Sequence, residues 1–200
     1  MKLLHRPDLY CWSEFNSERN IDFHSIAWIR PAGNVLVDPL PLSAHDRSHL
    51  QSLGGAQWVI ITNSDHIRAS QEIATEMGAQ ILAPQGERAS FPIPVDRWLT
   101  DRDKIFPGLD AIALDGSKTP GELALVLEET TLITGDLVRA HQAGTLMLLP
   151  DAKLSDRKRA LASVRRLAQL SAISTVLVGD GWQVFGDGHL RLQELIARSI

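Results

Sequence analysis

Residues 58–70 read WVIITNSDHIRAS. The first five, Trp58-Val59-Ile60-Ile61-Thr62, form an apolar, β-branched run that predicts a buried strand. The chain then turns polar at Asn63-Ser64-Asp65-His66. From Ile67 a helical period takes over, with Ile67, Ile73, Ala74 and Met77 able to share one face. A strand feeding a polar turn and then a helix presents side chains at the strand's carboxyl end, where ligands bind in open α/β architectures. Asp65 and His66 are therefore candidate metal ligands or an acid/base pair. Capping of the helix by Asn63, Ser64 and Asp65 explains the same residues without chemistry.

Two hundred residues suit one domain, 1–200. Such a chain buries roughly 70% of its unfolded surface, so it needs neither disulfides nor a metal to fold. A net charge of −4 gives no general attraction to nucleic acid or to acidic membranes. The lone Cys11 excludes an internal disulfide and fits a reducing compartment. The first twelve residues hold no long apolar run, and no stretch approaches the roughly 20 apolar residues of a membrane span. A cytoplasmic location is expected, with a small-molecule substrate or ligand and no nucleic-acid or membrane partner.

Outward from the central stretch, residues 9–12 and 23–30 read as strands separated by a polar, turn-like segment over 13–20. Pro31-Ala32-Gly33-Asn34 predicts a hairpin turn into Val35-Leu36-Val37. A short helix over 42–53 stops at Gly54-Gly55, and Gly78 ends the helix of the central stretch. Short strands are predicted over 80–83, near Trp98-Leu99 and over 109–114. Residues 122–127 and 131–134 form a hairpin around Glu128-Glu129-Thr130. Residues 155–170 make the clearest amphipathic helix, 175–178 a strand, and 189–200 a closing helix.

Four apolar strands end in short polar turns: at Asp65-His66, at Asp115 and Lys118, at Asp136 and at Asp180. One Gly-Asp turn is unremarkable. Four strands of shared direction would bring these groups to one edge. His24, His45, His49 and His141 are scattered and receive no role, and Trp182 and Phe185 either wall a pocket or join the core.

The order of these motifs resembles the metallo-β-lactamase superfamily over most of the chain. Residues 33–39 look like its early aspartate-terminated strand, and 58–67 like the segment carrying its His-x-His-x-Asp-His signature. Residues 116–121 look like its Gly-His-Thr-Pro-Gly loop, Gly135-Asp136 like its Gly-Asp, and Gly179-Asp180-Gly181 like its last Gly-His-Gly. The resemblance implies an α/β (α+β) fold, a four-layer αββα sandwich with its site along one edge of the two sheets.

The departures are chemical. Without a gap, Asn63 and Asp65 stand at the first two histidine positions; with a two-residue deletion, Asp65-His66 keep the Asp-His. Lys118 stands at the second histidine and Asp180 at the last, leaving Asp136 as the aspartate kept in place. The weak metal set is then Asp65, His66, Asp136 and Asp180, oxygen-rich and better suited to manganese or magnesium than to zinc. Two functions follow. One is a hydrolase of a small ester, thioester or lactone, with Asp65, Lys118 and Asp136 catalytic, Asn63, Lys118 and Trp182 binding substrate, and one divalent ion. The other is a metal-free binding protein of the same fold, in which Lys118 replaces the metal charge. If Lys118 is buried among the carboxylates, its removal costs about 3–5 kcal/mol.

Overall fold

The computed structural model describes residues 1–199. A first sheet holds seven strands in chain order: β1 (Lys2–Leu3), β2 (Leu9–Asn16), β3 (Ile21–Trp28), β4 (Val35–Val37), β5 (Trp58–Ile60), β6 (Gln80–Pro84) and β7 (Arg97–Leu99). Pairing is antiparallel from β1 to β4 and parallel from β4 to β7. Helix α1 (Ala44–Ser52) connects β4 to β5, and α2 (Ser70–Met77) connects β5 to β6. The second sheet contains β8 (Lys104–Phe106), β9 (Leu109–Leu114), β10 (Glu122–Leu127) and β11 (Thr131–Thr134). Its last member, β14 (Thr175–Val178), pairs parallel to β11. A separate hairpin, β12 (Val138–Gln142) and β13 (Thr145–Leu148), precedes α3 (Arg157–Leu167), and α4 (Gly188–Ser199) follows β14.

Period-two alternation sets the layers. Val35, Val37, Ile60 and Leu82 face Leu123, Leu125, Ile133 and Leu177 across the space between the sheets. Their neighbours Leu36, Val59, Ile61 and Ile81 face outward onto Leu50 of α1 and Ile73 and Ala74 of α2. Ala124, Leu132, Val176 and Val178 face α3 and α4 through Ala160, Val164, Leu167, Leu192 and Leu195. The result is the expected αββα sandwich. Asp156 caps α3 by accepting from the Arg159 N–H at 3.0 Å, an arrangement worth about 1 kcal/mol.

The segment over 13–20 is corrected. β2 runs through Ser13 to Asn16, pairs with β3 as far as Asn16↔Ile21, and leaves only residues 17–20 for the turn. Its outer half is exposed on both faces, so no burial alternation marks it as strand. β1, β8, β12 and β13 are not predicted either. Two are very short, and Arg139, His141 and Gln142 make β12 read as loop. Ile200, where the predicted closing helix ends, lies outside the described residues. Among the described residues no helix is long and apolar enough to cross a membrane.

Candidate functional site

Each sheet contains a parallel pair whose carboxyl ends meet at one edge: β4 and β5 in the first, β11 and β14 in the second. β9 runs in the same direction as β11, because both are antiparallel to β10. Asp38 follows β4, Thr62 to His66 follow β5, Lys118 follows β9, Asp136 follows β11 and Asp180 follows β14. The two sheets are tied here by the Leu123 N–H donating to the Thr62 carbonyl at 2.8 Å and the His24 N–H donating to the Gly179 carbonyl at 2.9 Å. Glycines let the chains close in. A Cβ on Gly179 would lie 2.7 Å from Cε1 of His66, and one on Gly135 would lie 2.7 Å from Thr62 Oγ1.

A cleft of about 360 Å³ opens at this edge, lined by Asp65, His66, Arg68, Lys118, Asp136 and Asp180, with Arg19, Phe23 and Leu40 at its sides. His66 is its buried centre. Nδ1 donates to Asp38 Oδ2 at 2.8 Å, and Nε2 lies 3.7 Å from Asp136 Oδ1, an ion-pair distance too long for a hydrogen bond. Asp38 also accepts from the Thr62 N–H at 2.7 Å and the Thr62 hydroxyl at 2.6 Å. Burial alone pushes the His66 imidazole down, but the flanking Asp38 and Asp136 carboxylates override it and raise its pKa to about 9. It is an imidazolium at neutral pH. Burial works to raise Asp136, yet His66, Lys118 and Arg139 more than offset this and hold its carboxyl well below the usual carboxylate range.

Lys118 pairs with Asp65 and lies 3.6 Å from Asp136 Oδ2. Its side chain is 38% exposed, against 11% for Asp136. Lys118 therefore sits at the cleft mouth, half in water, and the ~3–5 kcal/mol that its removal would cost if it were buried does not apply. Asp180 is buried and paired with Arg139, and it also meets His141 Nε2 at 2.8 Å. Arg68 staples the edge. Its guanidinium donates to the carbonyls of His24, Asp38 and Gly179. Asp38 and Arg68 have φ of 48° and 45°, left-handed backbone that carries local strain on the order of 1–3 kcal/mol. Beneath the cleft, burial and the neighbouring Asp136 push Glu122 up to about 7, while donation from Ser117 and the Leu137 N–H offsets part of this.

Asp65, His66, Lys118, Asp136 and Asp180 are thus brought together. Asn63 is fully buried and does not line the cleft; its Oδ1 accepts from the Asp65 N–H at 2.9 Å. Trp182 is 61% exposed and, with the exposed Phe185, lines a different cavity, so the core reading of both is corrected. Sequence reasoning missed Arg68, Arg139, His141 and Glu122. Asp38 was visible as the residue closing its strand; nothing in the local sequence marks the other four. Among the described residues no three His, Cys, Asp or Glu side chains form a group placed to hold a metal ion.

Fold and site define an αββα protein with a charged cleft where the carboxyl ends of two sheets meet. The chain belongs to the metallo-beta-lactamase superfamily, whose family profile matches residues 1–199. No curated protein matches it. Among solved structures it is similar to the DIM-1 metallo-beta-lactamase, at 13% identity and a TM-score of 0.76, covering 100% of this chain and 97% of that one. A metallo-beta-lactamase from Pontibacter korlensis shares 15% identity with a TM-score of 0.76, covering 98% and 97%. A metallo-beta-lactamase family protein from Thermus thermophilus shares 19% with a TM-score of 0.72, covering 96% and 79%. At these identities the likeness is one of fold.

Proposed function

We propose that this chain is a metal-independent binding protein for a small molecule carrying an anionic group, with Lys118 supplying the positive charge of the cleft. The observation that carries this reading is the pairing of Lys118 with both Asp65 and Asp136 while His66 stands between Asp38 and Asp136. The donor set fits a dication poorly. One ring nitrogen of His66 is committed to Asp38, and the other faces Asp136. Lys118 brings an ammonium that a dication repels, and Arg139 occupies Asp180. Five cations, Arg19, His66, Arg68, Lys118 and Arg139, stand against the four carboxylates of Asp38, Asp65, Asp136 and Asp180 without any ion. Elemental analysis of protein purified without chelator or affinity metal is expected to find no stoichiometric divalent ion. Zinc, manganese and magnesium are expected to leave its melting temperature unchanged. A stoichiometric ion sinks this reading.

One observation favours the second reading, a weak hydrolase of a small ester, thioester or lactone. Asp136 Oδ2 and Asp180 Oδ1 are buried without a hydrogen-bond partner, and both residues line the cleft. An acceptor oxygen there can orient a water. The depressed Asp136 pKa makes that carboxylate a poor general base near pH 7, so such turnover is expected to be slow.

Lys118→Met tests the charge directly. Because Lys118 is 38% exposed and its field is screened by water, the expected loss is about 1 kcal/mol at pH 8 and low salt, shrinking as salt rises. Manganese or magnesium is expected to stabilise the variant more than the parent, since the vacated place now suits a dication. An unchanged denaturant midpoint at pH 8 makes Lys118 a solvated loop residue and removes it from the proposal.

A further inference from the structure

On the far side of β3 from the Lys118 cleft lies a larger cavity, about 700 Å³. Its wall includes Ser13 and His24, and the side chains of Asp65, His66, Lys118 and Asp136 take no part in it. Ser13 and His24 are directly opposed across β2 and β3, in the outer half of the hairpin. Ser13 Oγ lies 2.7 Å from His24 Nδ1, and His24 Nε2 meets the Gly181 carbonyl oxygen.

These two contacts fix where the protons are. A carbonyl oxygen only accepts, so Nε2 carries the hydrogen and donates it to Gly181. Burial disfavours the charged ring, so Nδ1 keeps its lone pair, and the Ser13 hydroxyl is the donor in the 2.7 Å contact. This is the polarity that activation of a hydroxyl requires: a nucleophile donating to a neutral base whose other nitrogen is held by a third group. Ser13 is exposed and reachable. Around it stand three exposed aromatic side chains, Phe15, Trp182 and Phe185, at 58%, 61% and 49% exposure. Isolated exposed apolar residues need no explanation, but three lining one cavity mark a surface suited to an apolar ligand. Lys2, the lysine among the lining residues, stands opposite Cys11 in β2, two residues from Ser13, and adds a positive charge to the cavity.

We propose that Ser13 and His24 form a reactive centre separate from the Lys118 cleft, a serine nucleophile with its general base, acting on esters of aromatic or other apolar acids held against Phe15, Trp182 and Phe185. Ser13 Oγ forms a bond to the ester carbonyl carbon while its proton passes to His24 Nδ1. The bond from that carbon to the alcohol oxygen breaks, and His24 returns the proton to the departing alkoxide. Water then repeats the sequence on the acyl-serine, releasing the carboxylic acid and restoring Ser13.

The test uses the full chain and a fluorophosphonate, which forms an oxygen–phosphorus bond to the serine as fluoride leaves and His24 takes the proton. Intact-mass analysis is expected to show one adduct per chain, mapped to Ser13 by peptide sequencing and absent in Ser13→Ala. In His24→Gln, whose amide N–H can still donate to the Gly181 carbonyl, labelling is expected to slow by about 100-fold or more. Release of 4-nitrophenol from 4-nitrophenyl phenylacetate is expected to fall in parallel in both variants. No adduct, an adduct on another residue, or labelling of His24→Gln at the parent's rate overturns the proposal.

Discussion

His66→Leu is expected to destabilise the protein by about 3–5 kcal/mol near pH 7, the cost of leaving buried charge without its partner. The variant keeps an apolar volume but strips the cation from between Asp38 and Asp136, both largely shielded from water. Lys118 still faces Asp136, and Thr62 still donates twice to Asp38, so the edge is weakened rather than emptied. Raising the His66 pKa from 6.5 to about 9 corresponds to about 3 kcal/mol of preference for the folded state.

The pH dependence follows from the sign. His66 has a folded pKa above its unfolded value, so its contribution is fully present below 6.5 and is lost as pH rises through about 9. The gap between parent and His66→Leu should therefore be wide at pH 6–7 and mostly closed by pH 10. Asp136 has a depressed folded pKa, so its contribution is present above about 3.8 and lost as pH falls through the folded value. The gap should narrow again in strong acid. Denaturant unfolding of both proteins at pH 2.5, 6.5 and 10 measures it. A gap of equal size at pH 6.5 and pH 10 means that His66 is neutral in the fold and that the charge balance proposed for the cleft is wrong.

The framework of the fold is legible because it is written in burial. Leu36, Val59, Leu123 and Val176 sit in runs whose alternate residues face different apolar layers, and such runs are the signals that sequence periodicity detects. What escapes is structure without burial contrast, such as the exposed outer half of β2, and β12, whose buried Arg139 hides a strand behind a charge. The cleft divides the same way. Asp65, His66, Lys118, Asp136 and Asp180 each follow an apolar strand, so chain order alone places them at an edge. Arg68 and Arg139 act through partners 30 to 111 positions away in sequence, and no local pattern encodes such a pairing. Ser13 meets His24 because β2 continues past Trp12, the part of the hairpin that the hydrophobic pattern does not reach.

Arg139→Met should be as costly as the loss of His66, about 3–5 kcal/mol, for a related reason. Asp180 is 2% exposed and Arg139 6%, so the pair is removed from water on both sides. The variant leaves Asp180 with His141 alone, at 2.8 Å. The pair itself is incompletely satisfied: Arg139 Nε and Asp180 Oδ1 are both buried without a hydrogen-bond partner. A single-point ion pair with two unmet polar atoms recovers little of its desolvation cost. The double variant Arg139→Met, Asp180→Asn is therefore expected to regain most of what Arg139→Met loses, finishing within about 1 kcal/mol of the parent. A double-mutant cycle in denaturant reads the coupling directly. The consequence reaches both cavities. Asp180 lines the Lys118 cleft, the Gly181 carbonyl orients His24, and the Ala140↔Gly181 bridge ties this turn to the strand that carries Arg139. If Arg139→Met costs less than about 1 kcal/mol, the pair is effectively solvated, and the turn at 179–181 must be held by its backbone contacts instead.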